Sequence, residues 1–73
     1  MRSVRLRAGE EYIKLGQALK ASGLAGSGTE AKEMILSGQV LVNGEPDQRR
    51  GRKLYENDLV EIGEVRIRIL KED

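Results

Sequence analysis

Five consecutive residues, Arg49-Arg50-Gly51-Arg52-Lys53, carry four cations. Like charges packed this densely repel one another, so the run is unfavourable without an anion nearby. Gly51 has no side chain, and the backbone N–H groups beside it can approach a ligand. Phosphate fits such a run best, because each phosphate neutralised by Lys or Arg releases condensed counterions. The plain alternative is a solvated loop kept polar for solubility. Catalytic chemistry finds less support. The chain has no histidine and no cysteine. That removes the usual general base near neutral pH, the thiolate nucleophile and most zinc sites. Acidic residues fall in pairs such as Glu10-Glu11, on a segment expected to be exposed, and no glycine-rich loop runs into Lys-Ser/Thr. No enzymatic activity, metal or cofactor is expected.

Two further groups can join the basic run. Ser27, Gly28 and Thr29 open a helix whose free N–H groups attract phosphate, and Lys32 lies one turn on. Ser27 can equally be a cap alone and Lys32 a solubilising residue, while Glu30 and Glu33 dilute the positive field of this helix. Lys14, Gln17 and Lys20 lie on an earlier, shorter helix. Gln17 can hydrogen-bond a base edge or a phosphate, or simply be an exposed helix residue. The only aromatic residues are Tyr12 and Tyr55. Proteins that coat single strands stack bases on aromatic platforms, so this scarcity favours a structured RNA read by shape and backbone. Tyr55 follows the basic run and can either stack a base or cap the edge of the core.

The elements that position these residues are legible in part. Ser27 and Glu30 have the spacing of a capping box, in which Glu30 reaches back to the Ser27 N–H. Ala31, Met34 and Ile35 fall on one helical face, and Gly38 ends that helix. Val40 and Val42 alternate with Leu41 as in a strand, and Asn43-Gly44 predicts a type I′ hairpin turn. Pro46 confines the returning strand to an edge. A short helix is expected from about Gly16 to Ser22, stopped by Gly23. Val60 and Ile62 form one strand face. Gly63-Glu64 suits a type II′ turn, after which Val65, Ile67 and Ile69 alternate with Arg66 and Arg68. The expected core is Ile13, Leu15, Leu19, Leu24, Ala31, Met34, Ile35, Val40, Val42, Leu54, Val60, Ile62, Ile67 and Ile69. The fold class is α+β: two short packed helices on a small twisted antiparallel sheet of four to five strands.

The joint order of SGTEAK, VLVNGE, RRGRKL and NDLVEI resembles the alpha-L RNA-binding domain of ribosomal protein S-four, pseudouridine synthases and bacterial tyrosyl-tRNA synthetases. The run LVNGEPDQRRGRKLYENDLVEI is most similar to the small standalone members called YaaA and YbcJ. The resemblance implies structured RNA, rRNA or tRNA, as partner, and association with the ribosome. In the wider family the position aligned with Gly28 is often arginine. Here it is glycine, as in the YaaA-like members, and the resemblance shifts that contact to the basic run. The wider family also opens its first helix with Arg-x-Asp-x-x-Leu, where this chain has Ile13-Lys14-Leu15-Gly16-Gln17-Ala18-Leu19. The expected RNA-binding set is Lys14, Gln17, Lys20, Ser27, Thr29, Lys32, Arg49, Arg50, Arg52 and Lys53.

At 73 residues, the chain is expected to form one domain. Residues 1–11 read as an N-terminal arm or edge strand, 12–70 as the RNA-binding domain and 71–73 as a tail. With 13 basic and 12 acidic residues the net charge is only +1. The signs are nevertheless segregated, with cations at Arg2, Arg5, Arg7 and 49–53 and anions over 56–64, so one positive face is compatible with near neutrality. No apolar run approaches the ~20 residues of a membrane span, and no signal-peptide pattern is present. A soluble, cytoplasmic monomer is expected. The rival class is a protein–protein adaptor whose cationic loop docks on an acidic partner.

Overall fold

Glycine positions and apolar alternation set the element boundaries in the computed structural model, which describes residues 1–72. Strand β1 spans Arg2–Leu6, β2 Ile13–Lys14, helix α1 Leu15–Ala21 and helix α2 Gly28–Leu36. Then follow β3 (Val40–Val42), β4 (Glu45–Pro46), β5 (Lys53–Leu54), β6 (Leu59–Ile62) and β7 (Val65–Lys71). Asn43 and Gly44 hold φ of 52° and 86°, as a type I′ turn requires. Asn43 also ties this hairpin to the next turn: its side-chain carbonyl accepts the Leu59 N–H and its amide donates to Asp58. Gly63 holds a φ of 58° between β6 and β7. The α2 cap differs in one contact. Ser27 Oγ accepts the Glu30 N–H at 3.1 Å, but the Glu30 carboxylate accepts from Gly26 rather than Ser27. Gly26 admits it because the carboxylate lies 3.2 Å from where a Cβ would stand.

Five strands form one sheet in the order β1-β7-β6-β3-β4. The α+β class and the five strands agree with the sequence reading, but the sheet is mixed rather than antiparallel. β1 lies parallel to β7, in the register Val4↔Ile69. This pairing carries Val4 and Leu6 into the core, where they are 6% and 1% exposed. Ala18 and Ala25 are also buried. Ile13, Leu24, Met34 and Ile62, expected inside, are only partly buried against the core; the other ten expected members are fully buried. β7 runs through Lys71 and the Glu72 N–H donates to the Leu6 carbonyl, so sheet hydrogen bonding continues past residue 70. Asp73 of the expected tail lies outside the described residues.

The element that matters most for the site stands apart from this sheet. β2 and β5 make a separate two-stranded antiparallel ribbon, with Ile13 opposite Leu54 and Lys14 opposite Lys53. Leu54 anchors the ribbon in the core. The ribbon therefore brings the start of α1 beside the end of the basic run, although about forty residues separate them in the chain.

Candidate nucleic-acid interface

The basic run is folded around an anion of its own. Asp47 is the one buried charged residue among those described. Its carboxylate accepts from the Arg49 backbone N–H at 2.9 Å, from Arg49 Nε at 3.0 Å and Nη2 at 2.8 Å, and from Arg52 Nη1 at 2.7 Å. The Arg49 side chain, more than any other group, holds the Asp47 carboxyl far below the usual carboxylate range. Burial opposes the shift, and the Arg49 backbone N–H and Arg52 add to it. The counter-anion that dense cations require is therefore partly internal. Arg49 and Arg52 commit part of their guanidinium donors to it, leaving Arg50 and Lys53 as the cations of the run without a carboxylate partner among the described residues.

Backbone carbonyls fasten the same loop to α1. The Leu15 N–H donates to the Arg52 carbonyl at 2.8 Å and the Gly16 N–H to the Arg50 carbonyl at 3.0 Å. These are first-turn donors that a helix leaves unpaired, so the loop acts as the cap of α1. Close approach depends on Gly16: a Cβ there would stand 2.7 Å from Arg50 Cγ.

The docking creates an open cleft of about 390 Å³. Lys14, Gly16, Gln17 and Lys20 line it from one side, Arg50 and Gly51 from the loop, and Gly28 and Ala31 from α2. Lys14, Gln17, Lys20 and Arg50 are thus gathered on one concave surface, and Lys53 stands across the ribbon from Lys14. Gln17 makes only a long 3.5 Å contact with the Lys14 N–H, which leaves its amide available. A Cβ on Gly28 would meet nothing within 4 Å, so this rim position has room for a side chain. Thr29 and Lys32 are exposed on α2 but do not line the cleft, and Ser27 Oγ is engaged in capping. A model of the S4 domain matches residues 4–70.

The chain belongs to the S4 domain family. It is 56% identical over 52 residues to a protein of Bacillus subtilis (strain 168) named "Probable ribosome maturation protein RlbA". That match covers 71% of this chain and 73% of the relative. The S4-like family expected from the ordered motifs is therefore borne out.

Sequence reasoning missed two residues on which the geometry of this S4 domain depends. Asp47 gave one signal, an anion two residues before Arg49, but burial is what makes it a counter-ion rather than a solvated charge. Gly16 gave none, because its neighbour Arg50 is remote in sequence and reaches it only through the ribbon. Among the described residues no helix is long and apolar enough to cross a membrane.

Proposed function

We propose that this S4 domain is a non-catalytic module that binds structured RNA through the cleft between α1, the start of α2 and the 49–53 loop. The observation that carries this reading is convergence. Lys14, Lys20 and Arg50 line one open cleft together with Gln17, and Lys53 adjoins it. None of these four cations has a carboxylate within salt-bridge distance among the described residues. A concave surface with four available cations and an amide donor suits the phosphate backbone of a folded RNA. The name of the Bacillus subtilis relative refers to ribosome maturation, which makes rRNA the first ligand to try and tRNA the second. The working form is a cytoplasmic monomer. Ser27, Thr29 and Lys32 are outer contacts for an RNA that extends along α2, while Arg49 and Arg52 shape the loop and add to its field.

Equilibrium binding to rRNA fragments and tRNA across a salt series tests the proposal. Four phosphate contacts should give a slope of log K against log salt of about −3, at roughly 0.7–0.9 per contact. Arg50→Gln and Lys53→Gln should each flatten the slope by about 0.8. A slope near zero for the best RNA would overturn the reading. Tight salt-dependent capture of an acidic protein, with none of RNA, would install the adaptor in its place.

A further inference from the structure

The chain has only two aromatic side chains, and the fold puts them together at the surface. Tyr12 precedes β2 and Tyr55 follows β5. Extending the Ile13↔Leu54 register by one step sets Tyr12 opposite Tyr55. Their ring centroids are 5.9 Å apart with planes inclined at 54°. Side chains alternate across the ribbon, so Ile13 and Leu54 turn toward the core while Tyr12, Lys14, Lys53 and Tyr55 share the outer face. Tyr12 is 36% exposed and Tyr55 47%. Neither hydroxyl has a hydrogen-bond partner among the described residues. Lys14 directly faces Lys53, a cross-strand pairing of like charges that destabilises a ribbon unless an anion is supplied. Lys53 Nζ lies 4.9 Å from the Tyr12 centroid and covers that ring, whereas Tyr55 lines a second open hollow of about 520 Å³ with Arg49, Gly51, Arg52 and Lys53. Asp58 fixes the backbone at this point, accepting the Tyr55 N–H at 2.7 Å.

We infer that the outer face of the β2–β5 ribbon is a stacking site for one unpaired nucleobase, with Tyr55 as the platform, Tyr12 as its support and Lys14 and Lys53 on the adjoining phosphates. Core aromatics would be buried, and a purely electrostatic loop would need none. An exposed aromatic pair beside Lys14 and Lys53, which have no carboxylate partner among the described residues, matches a nucleotide, which offers a π-face and a negative charge together. The inference rests on the RNA-binding reading and sharpens it. The preferred ligand is a helical RNA carrying a bulged or flipped-out nucleotide beside the segment held in the cleft.

Two synthetic RNA hairpins test this, one fully paired and one identical except for a single bulged 2-aminopurine nucleotide. The wild-type protein should bind the bulged hairpin about tenfold more tightly, since stacking on an aromatic side chain is worth that much or more. Binding should quench the 2-aminopurine emission. The protein's own emission should change as well, because it arises from Tyr12 and Tyr55 alone in a chain without tryptophan. Tyr55→Phe should keep the preference and Tyr55→Leu should abolish it, with both variants checked for folding by circular dichroism. Equal affinity for the two hairpins, or an undiminished preference in Tyr55→Leu, would overturn the stacking site while leaving salt-dependent RNA binding standing. Absence of binding to either hairpin, in a protein that binds no rRNA or tRNA, would remove both readings.

Discussion

The 49–53 loop and strand β7 are both rich in arginine, and they hold it differently. In β7, Arg66 meets Glu61 at 3.3 Å on the open face of the sheet, with the arginine 60% exposed, and Arg68 donates to the Asn57 carbonyl. In the loop, Arg49 and Arg52 converge on Asp47, which is 7% exposed and also holds a backbone N–H. Water screens the first arrangement; in the second Arg49 is itself 69% exposed, and it is the buried carboxylate end that is shielded. The β7 pair decorates a strand whose position the sheet already fixes. The Asp47 cluster gives shape to a segment without regular structure, and so decides where Arg50 and Lys53 stand. An arginine run is therefore informative about binding only once its internal anions are subtracted.

The contrast breaks most visibly in RNA affinity. Arg50→Glu combined with Lys53→Glu turns two attractions into two repulsions, and affinity should fall on the order of a hundredfold at moderate salt. Stability should stay within about 0.5 kcal/mol, as for surface changes generally. Filter binding and urea unfolding measure the two quantities. An Arg66→Glu and Arg68→Glu double variant should lose far less affinity, and an equal loss would move the RNA onto the sheet face. Arg52→Glu is a different kind of change, because it sets a second carboxylate against buried Asp47 and should act chiefly on folding.

Next in size is the loop clamp. Asp47→Asn should cost about 1–2 kcal/mol, since charge-assisted bonds are lost and only part of their donors regain water. The effect carries a pH signature. Asp47 is held below its ordinary value of 3.8, so its contribution is full above about pH 4 and declines as pH falls toward the lower folded-state value. Thermal midpoints of wild type and variant should therefore converge below about pH 4. A gap that stays constant down to strong acid would mean that the carboxylate's charge is not what orders the loop.

Gly16→Ala should be milder. Alanine favours the helix by up to about 1 kcal/mol, while its Cβ displaces the Arg50 side chain from the cleft. Stability should change by less than about 1 kcal/mol, with RNA affinity down about threefold, roughly the loss of one phosphate contact at moderate salt. The smallest effect is expected at the exposed pair, where Glu61→Gln should shift stability by no more than about 0.5 kcal/mol.

The sequence by itself determined whatever depends on neighbours in the chain. Asn43-Gly44, Gly23 and Gly38 announce their positive φ, Ser27 its cap, and the alternation of 65–69 its strand, because dihedral preference and side-chain period are local properties. The ordered motifs extended that reading to the S4 family. Tertiary structure decided what depends on residues far apart. It laid β1 parallel to β7 and so buried Val4 and Leu6, a pairing that no local signal in residues 1–7 specifies. It withdrew Asp47 from water, which turned one acid in a charged stretch into the anchor of the loop. It set Gly16 under Arg50 and Tyr12 against Tyr55 through a ribbon whose two strands are two residues each. Strands that short have too little period to be read from the chain. They form because Leu54 is drawn into the core and takes its neighbours with it, and hydrophobic burial of that kind is settled only when the whole domain closes.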